Sequence, residues 1–392
     1  MPAKLKKVCI LSTNKYPDGD AGAVRQHSFA KLFTDMGYDV TVIGLGECTG
    51  STVQEYEGVK FISFRSSSSS VPARLGNLLL YKARLREYFR NNTPDTVLVI
   101  DIPVNALFYI KKYAKKHSVK LLHDSVEWYS EEEFTHGKAD MRYIIKDKYN
   151  TDWIDKQFSV IGISTYLTNH FESRGIHCVN IPVIFDVQST SCEKHADPGK
   201  LTLLYAGSPG KKDCLSVALK GLAMLEADSL RGLLFNIVGV TREQLLQASP
   251  DIASALEKLG ESVCFGGRVP RAQVKEQLEK ADFTVLLRPE DMRYAKAGFP
   301  TKFGESMVAA TPVICNLTSD LGMYLRDGEN GLLVNGCTAE AFCTAVKKAL
   351  ALAADKKKAM YAAARGTAEE SFDYRLYGDA VTGLINMHTD EE

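Results

Sequence analysis

Residues 201–207, LTLLYAG, form a continuous apolar run that ends at a glycine. A strand buried on both faces of a parallel sheet has this pattern. The run follows a polar segment without periodicity, DVQSTSCEKHADPGK (residues 186–200), which predicts a linker. In the chain of 392 residues, the strand pattern of a second domain is therefore expected to start near residue 201, after this linker.

Strand-like runs recur on both sides of the linker, with helical periodicity between them. Before the linker they are Val8–Ser12, Val40–Ile43, Lys60–Phe64, Thr96–Ile100, Val119–Leu122 and Val160–Ile163. After it they are Leu201–Tyr205, Leu234–Val238, Val263–Phe265, Phe283–Leu287 and Pro312–Cys315. Strand–helix alternation at this spacing indicates βαβ units and parallel sheets. We predict two α/β domains, residues 1–185 and 186–371, with a final helix within residues 372–392 that joins the first domain.

The composition is that of an ordinary globular protein, with 45% hydrophobic and 24% charged residues. The balance of 48 Lys/Arg and 48 Asp/Glu argues against a nucleic-acid-binding protein. Residues 1–185 carry 24 basic and 20 acidic side chains, and residues 186–392 carry 24 and 28. The first half could therefore face an anionic surface or substrate, or the halves are simply two parts of a neutral protein. The nine cysteines form no Cys-x-x-Cys pair, which favours reduced thiols in a cytosol.

A basic amphipathic helix is predicted over residues 72–90. Its apolar face consists of Leu75, Leu78, Leu79, Leu85 and Phe89. Its basic residues are Arg74, Lys82, Arg84, Arg86 and Arg90. Such a helix can lie on an anionic membrane surface. The alternative is a surface helix that covers its own sheet.

Two loops of the first domain carry candidate binding residues. The loop DGDAGAVR (residues 18–25) puts glycines before a helix N-terminus, where a backbone can approach an anion closely. The segment HDSVE (residues 123–127) leaves a strand at the edge where parallel sheets bind ligands. A plain tight turn and a structural histidine are the respective alternatives. No second histidine has the spacing of a metal ligand, so a metal site is not expected.

Two loops of the second domain carry candidate phosphate-binding residues. The small-residue loop GSPGKKD (residues 207–213) can cradle a diphosphate. In GFPTKFGE (residues 298–305), Thr301 can cap a helix and Lys302 places a cation near the positive helix end. Glu305 can accept hydrogen bonds from two ribose hydroxyls, although a simple helix-surface pair would also explain Lys302 and Glu305. Arg288 ends a strand and is expected to point toward the edge between the domains.

These sequences resemble GT-B glycosyltransferases, specifically the retaining glycosyltransferase family 4. The matching segments are Gly19–Arg25, Tyr205–Gly207 with Lys212, Gly266–Pro270, Gly298–Glu305 with Thr311–Ile314, and Asp327–Val334. The resemblance implies two Rossmann-like domains whose parallel sheets face a central cleft. It also implies a retaining hexosyltransferase of polysaccharide biosynthesis that needs no cofactor and uses a nucleotide-sugar, expected to be a UDP-sugar.

The resemblance further implies a role for individual residues. The catalytic residues would be His123, Lys212 and Lys302. The donor-binding residues would be Gly22, Ser208, Arg268, Arg288, Gly298, Phe299, Thr301 and Glu305. The acceptor-binding residues would be Arg25, Asp124 and Glu127. In this mechanism the acceptor attacks on the leaving-group face and a diphosphate oxygen takes its proton, so the protein supplies positive charge and orientation.

Two positions depart from the family pattern. The first glutamate of the E-x7-E motif that ends at Glu305 is replaced by Ala297, and an arginine after the first strand of the second domain is replaced by Ser208. Two alternatives therefore stay open: a non-catalytic partner of another transferase, and a sugar-nucleotide epimerase of the same fold. The expected partners are a nucleotide-sugar and a sugar or lipid-linked acceptor, without nucleic acid. The expected location is the cytoplasm, with residues 72–90 as a candidate contact to the inner face of the membrane.

Overall fold

A computed structural model describes residues 5–17, 19, 21–45, 52–64, 71–194, 199–209 and 212–387. The chain divides into two compact units. Unit 1 consists of Met1–Asp186 and Tyr374–Glu392, and unit 2 consists of Val187–Asp373. Parts of the predicted loops, Asp18, Asp20, Gly210 and Lys211, lie outside the described residues. In the described part of the chain no helix is long and apolar enough to cross a bilayer.

Unit 1 contains an eight-stranded sheet with the order β3-β4-β2-β1-β5-β6-β7-β8. The strands are β1 Lys7–Leu11, β2 Asp39–Gly44, β3 Gln54–Tyr56, β4 Val59–Ser63, β5 Thr96–Val99, β6 Lys120–Ser125, β7 Phe158–Gly162 and β8 Cys178–Asn180. Only the pairing of β3 with β4 is antiparallel within this sheet. Apolar side chains cover both faces of the sheet, as expected for parallel strands between two helical layers.

The helices of unit 1 follow the strands in the order of βαβ units. They are α1 Ala21–Asp35, α2 Val71–Asn91, α3 Val104–His117, α4 Met141–Lys148 and α5 Thr165–Ser173. A last helix, α15 Gly378–Asn386, follows a 3₁₀ turn at Tyr374–Tyr377. It packs on β6, β7 and β8, and its Val381 and Leu384 belong to the apolar cluster on that face.

Unit 2 contains a fully parallel six-stranded sheet with the order β11-β10-β9-β12-β13-β14. The strands are β9 Leu201–Ala206, β10 Leu233–Val238, β11 Val263–Gly267, β12 Phe283–Leu286, β13 Val313–Cys315 and β14 Gly331–Leu333. The helices are α6 Leu215–Ala223, α7 Ala227–Arg231, α8 Arg242–Ala248, α9 Ala253–Leu259, α10 Arg271–Lys280, α11 Arg293–Ala297, α12 Thr301–Val308, α13 Ala339–Leu350 and α14 Ala354–Ser371. The predicted α/β class with parallel sheets is confirmed.

The strand order reverses at one strand in each sheet. In unit 1, β1 lies between β2 and β5, and in unit 2, β9 lies between β10 and β12. Helices then leave the sheet in opposite directions, and a crevice opens beyond the carboxyl end of that strand. The loop before α1 follows β1, and the loop Gly207–Asp213 follows β9. Two of the four predicted binding loops thus stand at these switch points.

Several predicted boundaries differ from the structure. The strand predicted at Val119–Leu122 is β6 and continues to Ser125, because His123, Asp124 and Ser125 pair with β7. The helix predicted at residues 372–387 begins as the 3₁₀ turn. The strands β3, β8 and β14, which have three residues each, were not predicted.

Candidate functional site

Close backbone approach shapes the site beyond β9. Gly207 has a φ of +142°, and a Cβ atom there would lie 2.6 Å from Cε of Lys302. Gly239, after β10, has a φ of +102°, and a Cβ atom there would lie 2.4 Å from the Gly207 carbonyl oxygen. Only glycine combines these dihedral angles with the absence of a side chain. The two glycines therefore let Lys302 pass over the loop that follows β9.

A buried carboxylate, Asp213, gathers the predicted cations of unit 2. Lys302 Nζ donates hydrogen bonds to Asp213 Oδ2 and, at 3.0 Å, to Tyr205 Oη. Arg288 Nε donates to Asp213 Oδ1 at 3.2 Å, and Tyr205 Oη donates to Oδ2 at 2.8 Å. Burial alone would raise the pKa of Asp213, but Lys302 and Arg288 together lower it below its ordinary value. Asp213 is thus ionised and fixes the position of both cations.

Lys212 adds a third cation beside this carboxylate. Its Nζ lies 5.4 Å from the centre of the Tyr294 ring. Burial and the neighbouring Arg288 together lower the pKa of Lys212 to about 8, against the opposite influence of Asp213. We call Lys212, Asp213, Arg288 and Lys302 the Asp213 cluster. With Lys212 protonated, three positive charges and one negative charge leave the cluster with a positive excess, which suits an anionic ligand.

A cavity of about 560 Å³ opens beside the Asp213 cluster. Its walls come from the segments after β9, β10 and β11, and they include Ser208, Asp213, Thr241 and Arg268. The volume lies in the ordinary range for small-molecule sites. Two predicted donor-binding residues, Ser208 and Arg268, therefore line one cavity at the carboxyl edge of the sheet.

The segment around α12 differs in part from its prediction. Thr301 is the first helical residue rather than the cap, and no side chain caps this helix. The predicted capping role of Thr301 is wrong, because Pro300 takes the N-cap position with an extended backbone. Glu305 lies one turn after Lys302, and burial raises the pKa of its carboxyl against the influence of Arg271 and Lys302.

Phe299 and its neighbours lie in the interior of unit 2. The Phe299 ring packs edge-on against Phe303, Tyr324 and Phe372 at centroid distances of 6.1, 5.5 and 5.9 Å. The backbone N–H of Gly298 donates to the Tyr294 carbonyl at 3.0 Å. This packing accounts for Phe299 as a core residue, and its donor contact stays a prediction.

In unit 1 the structure brings the predicted acceptor residues Arg25 and Asp124 together. Both are buried, and Arg25 Nε and Nη2 donate to the Asp124 carboxylate at 2.9 and 2.8 Å. Arg25 also donates to the carbonyls of Ile181 and Pro182. The pair ties α1 to β6 and to the segment after β8. These bonds give both side chains a structural role within unit 1.

His123 lies within β6 rather than after it, and its side chain is buried. Its Nδ1–H donates to the Val99 carbonyl at 3.0 Å. The ring is surrounded by Tyr149, Phe158 and Phe171. Burial lowers the pKa of His123 to about 4, so the ring is neutral at pH 7. The predicted sugar contact of His123 stays a prediction.

The two remaining predicted residues of unit 1 lie at element ends. Gly22 is the second residue of α1, which follows the loop beyond β1. Glu127 follows β6, is half-buried, and its carbonyl accepts from Asn150 Nδ2 at 3.3 Å. In the described residues no group of three His, Cys, Asp or Glu side chains is placed to hold a metal ion.

The sequence interpretation missed the residues that hold the cations. Asp213 was part of the predicted loop but had no role, and its burial between two cations is a tertiary property. Asn316 was also missed: its Oδ1 accepts from the Arg288 backbone N–H at 2.9 Å and its Nδ2 donates to the Arg288 carbonyl at 2.8 Å. The only sequence signal for Asp213 was its position directly after Lys212 in a loop predicted to bind phosphate.

The second unit is similar to a known protein family. Residues 188–367 match the family described as glycosyl transferases group 1. That match spans nearly all of unit 2. None of the curated protein sequences matches the chain.

Solved structures share the fold at low sequence identity. Sucrose-phosphate synthase from Thermosynechococcus elongatus has a TM-score of 0.75 at 12% identity, over 97% of this chain and 98% of that one. HepE from Anabaena, in complex with UDP and glucose, has a TM-score of 0.65 at 14% identity, over 96% and 98%. WaaG, a glycosyltransferase involved in lipopolysaccharide biosynthesis, has a TM-score of 0.64 at 16% identity, over 97% and 100%. The GT-B fold that the sequence resemblance implied is confirmed, and residues 188–367 match the model of the glycosyl transferases group 1 family.

Proposed function

We propose that this protein is a retaining glycosyltransferase that moves a hexose from a nucleotide-sugar to a hydroxyl acceptor. The observation that carries the proposal is the Asp213 cluster beside the cavity in unit 2. Its positive excess matches the charge of a diphosphate. Charged donors fixed in advance stabilise a leaving group without reorganisation during the reaction.

A UDP-sugar is the donor that the comparisons favour. The HepE structures contain UDP with glucose and UDP-glucose. In this chain the diphosphate would contact Lys212, Arg288 and Lys302, and Glu305 would accept hydrogen bonds from the ribose hydroxyls. Ser208 and Arg268 line the cavity where the remaining part of the nucleotide would lie.

The reaction requires the protein to supply positive charge and to orient the donor and the acceptor. As the bond between the sugar and the diphosphate breaks, negative charge grows on the diphosphate oxygen and the cations stabilise it. The acceptor hydroxyl attacks on the same face, and its proton passes to that oxygen. Asp213 acts as a positioning residue, because it holds Lys302 and Arg288 while their other N–H groups face the anion. The acceptor residues and His123 belong to unit 1 in this proposal.

The helix α2 supports contact with a membrane-bound acceptor. Leu79 and Leu80 are exposed, as are Lys82, Arg86 and Arg90, whereas Leu85 and Phe89 pack into the core. The side chains of Arg74, Leu75 and Leu78 lie outside the described residues. Exposed leucines beside basic residues suit an anionic surface, where each basic residue adds about 1 kcal/mol. Sedimentation with anionic vesicles at low salt should retain the protein, and high salt should release it.

A UDP titration by calorimetry, followed by a panel of UDP-sugars, tests the proposed function. We expect UDP to bind and one UDP-sugar to be hydrolysed slowly without an acceptor. Glu305→Ala should weaken the binding of UDP more than the binding of a UDP analogue that lacks the ribose hydroxyls, because only UDP loses those hydrogen bonds. Absence of binding by every nucleoside diphosphate would contradict the proposal.

A second candidate is a non-catalytic partner of another transferase. The observation that favours it is Ala297, a fully buried small residue at the position of the first motif glutamate. This candidate predicts UDP binding without hydrolysis or transfer for any UDP-sugar. For this candidate, Ala297→Glu would also show no turnover. If the protein is an active enzyme, the wild type already shows turnover.

A further inference from the structure

One buried asparagine, Asn316, holds two charged residues of the segment that follows β12. Asn316 comes directly after β13 and is almost fully buried. Its Oδ1 accepts from the backbone N–H of Arg288 at 2.9 Å, and its Nδ2 donates to the Arg288 carbonyl at 2.8 Å and to Glu290 Oε1 at 2.9 Å. The amide thereby uses its carbonyl oxygen and both of its N–H bonds. Asn316 therefore fixes Glu290 in position relative to Arg288.

Glu290 is anchored through one oxygen and is otherwise exposed. β12 and β13 pair in parallel, so the segments that follow them leave the sheet at the same carboxyl edge, where parallel sheets bind ligands. An ionised carboxylate offers about four lone-pair positions, and the bond from Asn316 uses one of them. Glu290 can thus accept hydrogen bonds from a ligand without giving up its anchor.

Arg288 connects this carboxylate to the Asp213 cluster. β12 lies between β9 and β13 in the sheet, and the guanidinium of Arg288 extends to the β9 side, where its Nε donates to Asp213 Oδ1 at 3.2 Å. Asn316 holds Glu290 on the β13 side of the same residue. Glu290 therefore follows a cation of the cluster by two residues, and the two side chains extend to different neighbouring strands.

The charge of Glu290 limits which part of a nucleotide-sugar it can contact. A carboxylate repels a diphosphate, whereas the cations of the Asp213 cluster attract one. A carboxylate accepts readily from hydroxyl groups, as proposed for Glu305 and the ribose. The transferred sugar is the other hydroxyl-bearing part of the donor, and it is bonded directly to the diphosphate. A diphosphate on Arg288 would therefore bring that sugar close to Glu290.

We propose that Glu290 is a donor-binding residue that accepts hydrogen bonds from hydroxyl groups of the transferred sugar, and that its charge selects a neutral hexose over a hexuronate. This inference rests on the proposed function. Asn316 is the positioning residue, because one side chain holds both Glu290 and the Arg288 backbone. A hexuronate carries a carboxylate of its own, and like charges at close range repel, so Glu290 disfavours that donor.

The test compares the wild-type protein with Glu290→Gln and, as a matched control, Glu257→Gln on the exposed Glu257 of α9. Glutamine at position 290 keeps an oxygen that accepts from Asn316 Nδ2 and removes the charge, so the anchor of the segment is preserved. Calorimetry measures the affinities for UDP, UDP-glucose, UDP-galactose and UDP-glucuronate. We expect the wild type to bind one of the two neutral UDP-hexoses more tightly than UDP-glucuronate, and Glu257→Gln to reproduce the wild-type pattern.

In Glu290→Gln the ligands should respond in opposite directions. The preferred neutral UDP-hexose should bind about tenfold more weakly, because hydrogen bonds to a charged group are stronger than those to a neutral amide. UDP should bind at least as tightly as it binds to the wild type, and UDP-glucuronate should bind more tightly, because a repelling charge is gone.

The same change for every ligand, or no change, would overturn the proposal. A shared loss would make Glu290 a purely structural residue, and a shared gain would make it a charge remote from the sugar. A wild type that binds UDP-glucuronate as tightly as the neutral donors would overturn the selection. Failure of the wild type to bind UDP would instead contradict the proposed function, on which this inference rests.

Discussion

Arg25 and Asp124 form a buried ion pair in unit 1, with Arg25 Nη2 2.8 Å from Asp124 Oδ1 across a sequence separation of 99 residues. The guanidinium has further partners in the carbonyls of Ile181 and Pro182. Two charges removed from water are tolerated when they pair and when hydrogen bonds satisfy them. The pair joins three segments of unit 1 at the carboxyl edge of its sheet, and stability there depends on both partners.

The first prediction concerns this pair. Asp124→Ala should destabilise unit 1 by about 3–5 kcal/mol, because it leaves the Arg25 charge buried and unpaired. The double variant Arg25→Met with Asp124→Leu should recover much of that loss, since no charge then remains. Urea unfolding measures both. The matched control is Asp251→Asn in the exposed pair of Lys220 and Asp251, which should leave the midpoint unchanged. A double variant as unstable as Asp124→Ala would contradict this account.

The second prediction concerns Lys302. Lys302→Ala should weaken the binding free energy of UDP by about 1.5–3 kcal/mol, which is the contribution of a hydrogen bond to a charged group. The affinity for uridine should stay almost unchanged. The exposed Lys296 on α11 provides the control, and Lys296→Ala should bind both ligands as the wild type does. Calorimetry with the two ligands separates the outcomes. An equal loss for uridine and UDP would show that Lys302 acts on the fold of the site.

The third prediction follows from the pKa of Lys212, which burial and Arg288 lower to about 8. Lys212 carries its charge below that pH and loses it above, while the terminal phosphate of UDP is fully ionised above pH 7. UDP affinity should therefore fall as the pH rises from 7 to 9. Lys212→Ala should bind UDP more weakly at pH 7 and should lose most of this dependence. Titrations at three pH values suffice, and an unchanged slope in the variant would assign the effect to another group.

The fold could be predicted from the sequence because each strand and helix has a local pattern of apolar and polar residues. Continuous apolar runs such as LTLLYAG identify strands of a parallel sheet without any knowledge of their neighbours. The loops beyond β1 and β9 could likewise be placed, because each follows a predicted strand, whereas the strand order that makes β1 and β9 switch points came from the structure. The three-residue strands β3, β8 and β14 were not predicted, although β13, which has the same length, was predicted from the run Pro312–Cys315.

The site could be predicted only where a residue type carries its own chemistry. Lys302 and Arg288 were recognised as cations, but their convergence on Asp213 depends on packing between segments 75 and 89 residues apart. The same limit applies to Thr301, whose capping prediction failed because Pro300 shifted the helix start by one residue. Burial decided the remaining differences. Phe299 was assigned to donor binding and His123 to catalysis, and both side chains lie in the interior of their units.

The fourth prediction concerns His123, for which the structure and the family resemblance suggest separate effects. The ring is buried, and its Nδ1–H satisfies the Val99 carbonyl. His123→Ala should therefore lower the stability of the fold by about 1–3 kcal/mol, since that carbonyl loses its donor. The folded pKa of about 4 lies below the unfolded value near 6.5. The stabilisation from a neutral ring is thus present above pH 6.5 and is lost as the pH falls toward 4, and the variant should lose this dependence.

The same variant decides whether His123 also serves the reaction. Contact with the sugar predicts a fall in kcat/KM beyond what the folded fraction explains, so activity must be expressed per folded molecule. Phe171→Leu, which opens the same part of the core without removing the imidazole, controls for general loosening. A fall in kcat/KM with His123→Ala alone would support the sugar contact. Equal kcat/KM values in both variants, with the pH dependence of stability lost only in His123→Ala, would leave His123 a purely structural residue. If the stability of His123→Ala instead kept the pH dependence of the wild type, the dependence would not come from His123. That result would contradict a buried His123 ring that stays neutral in the folded protein.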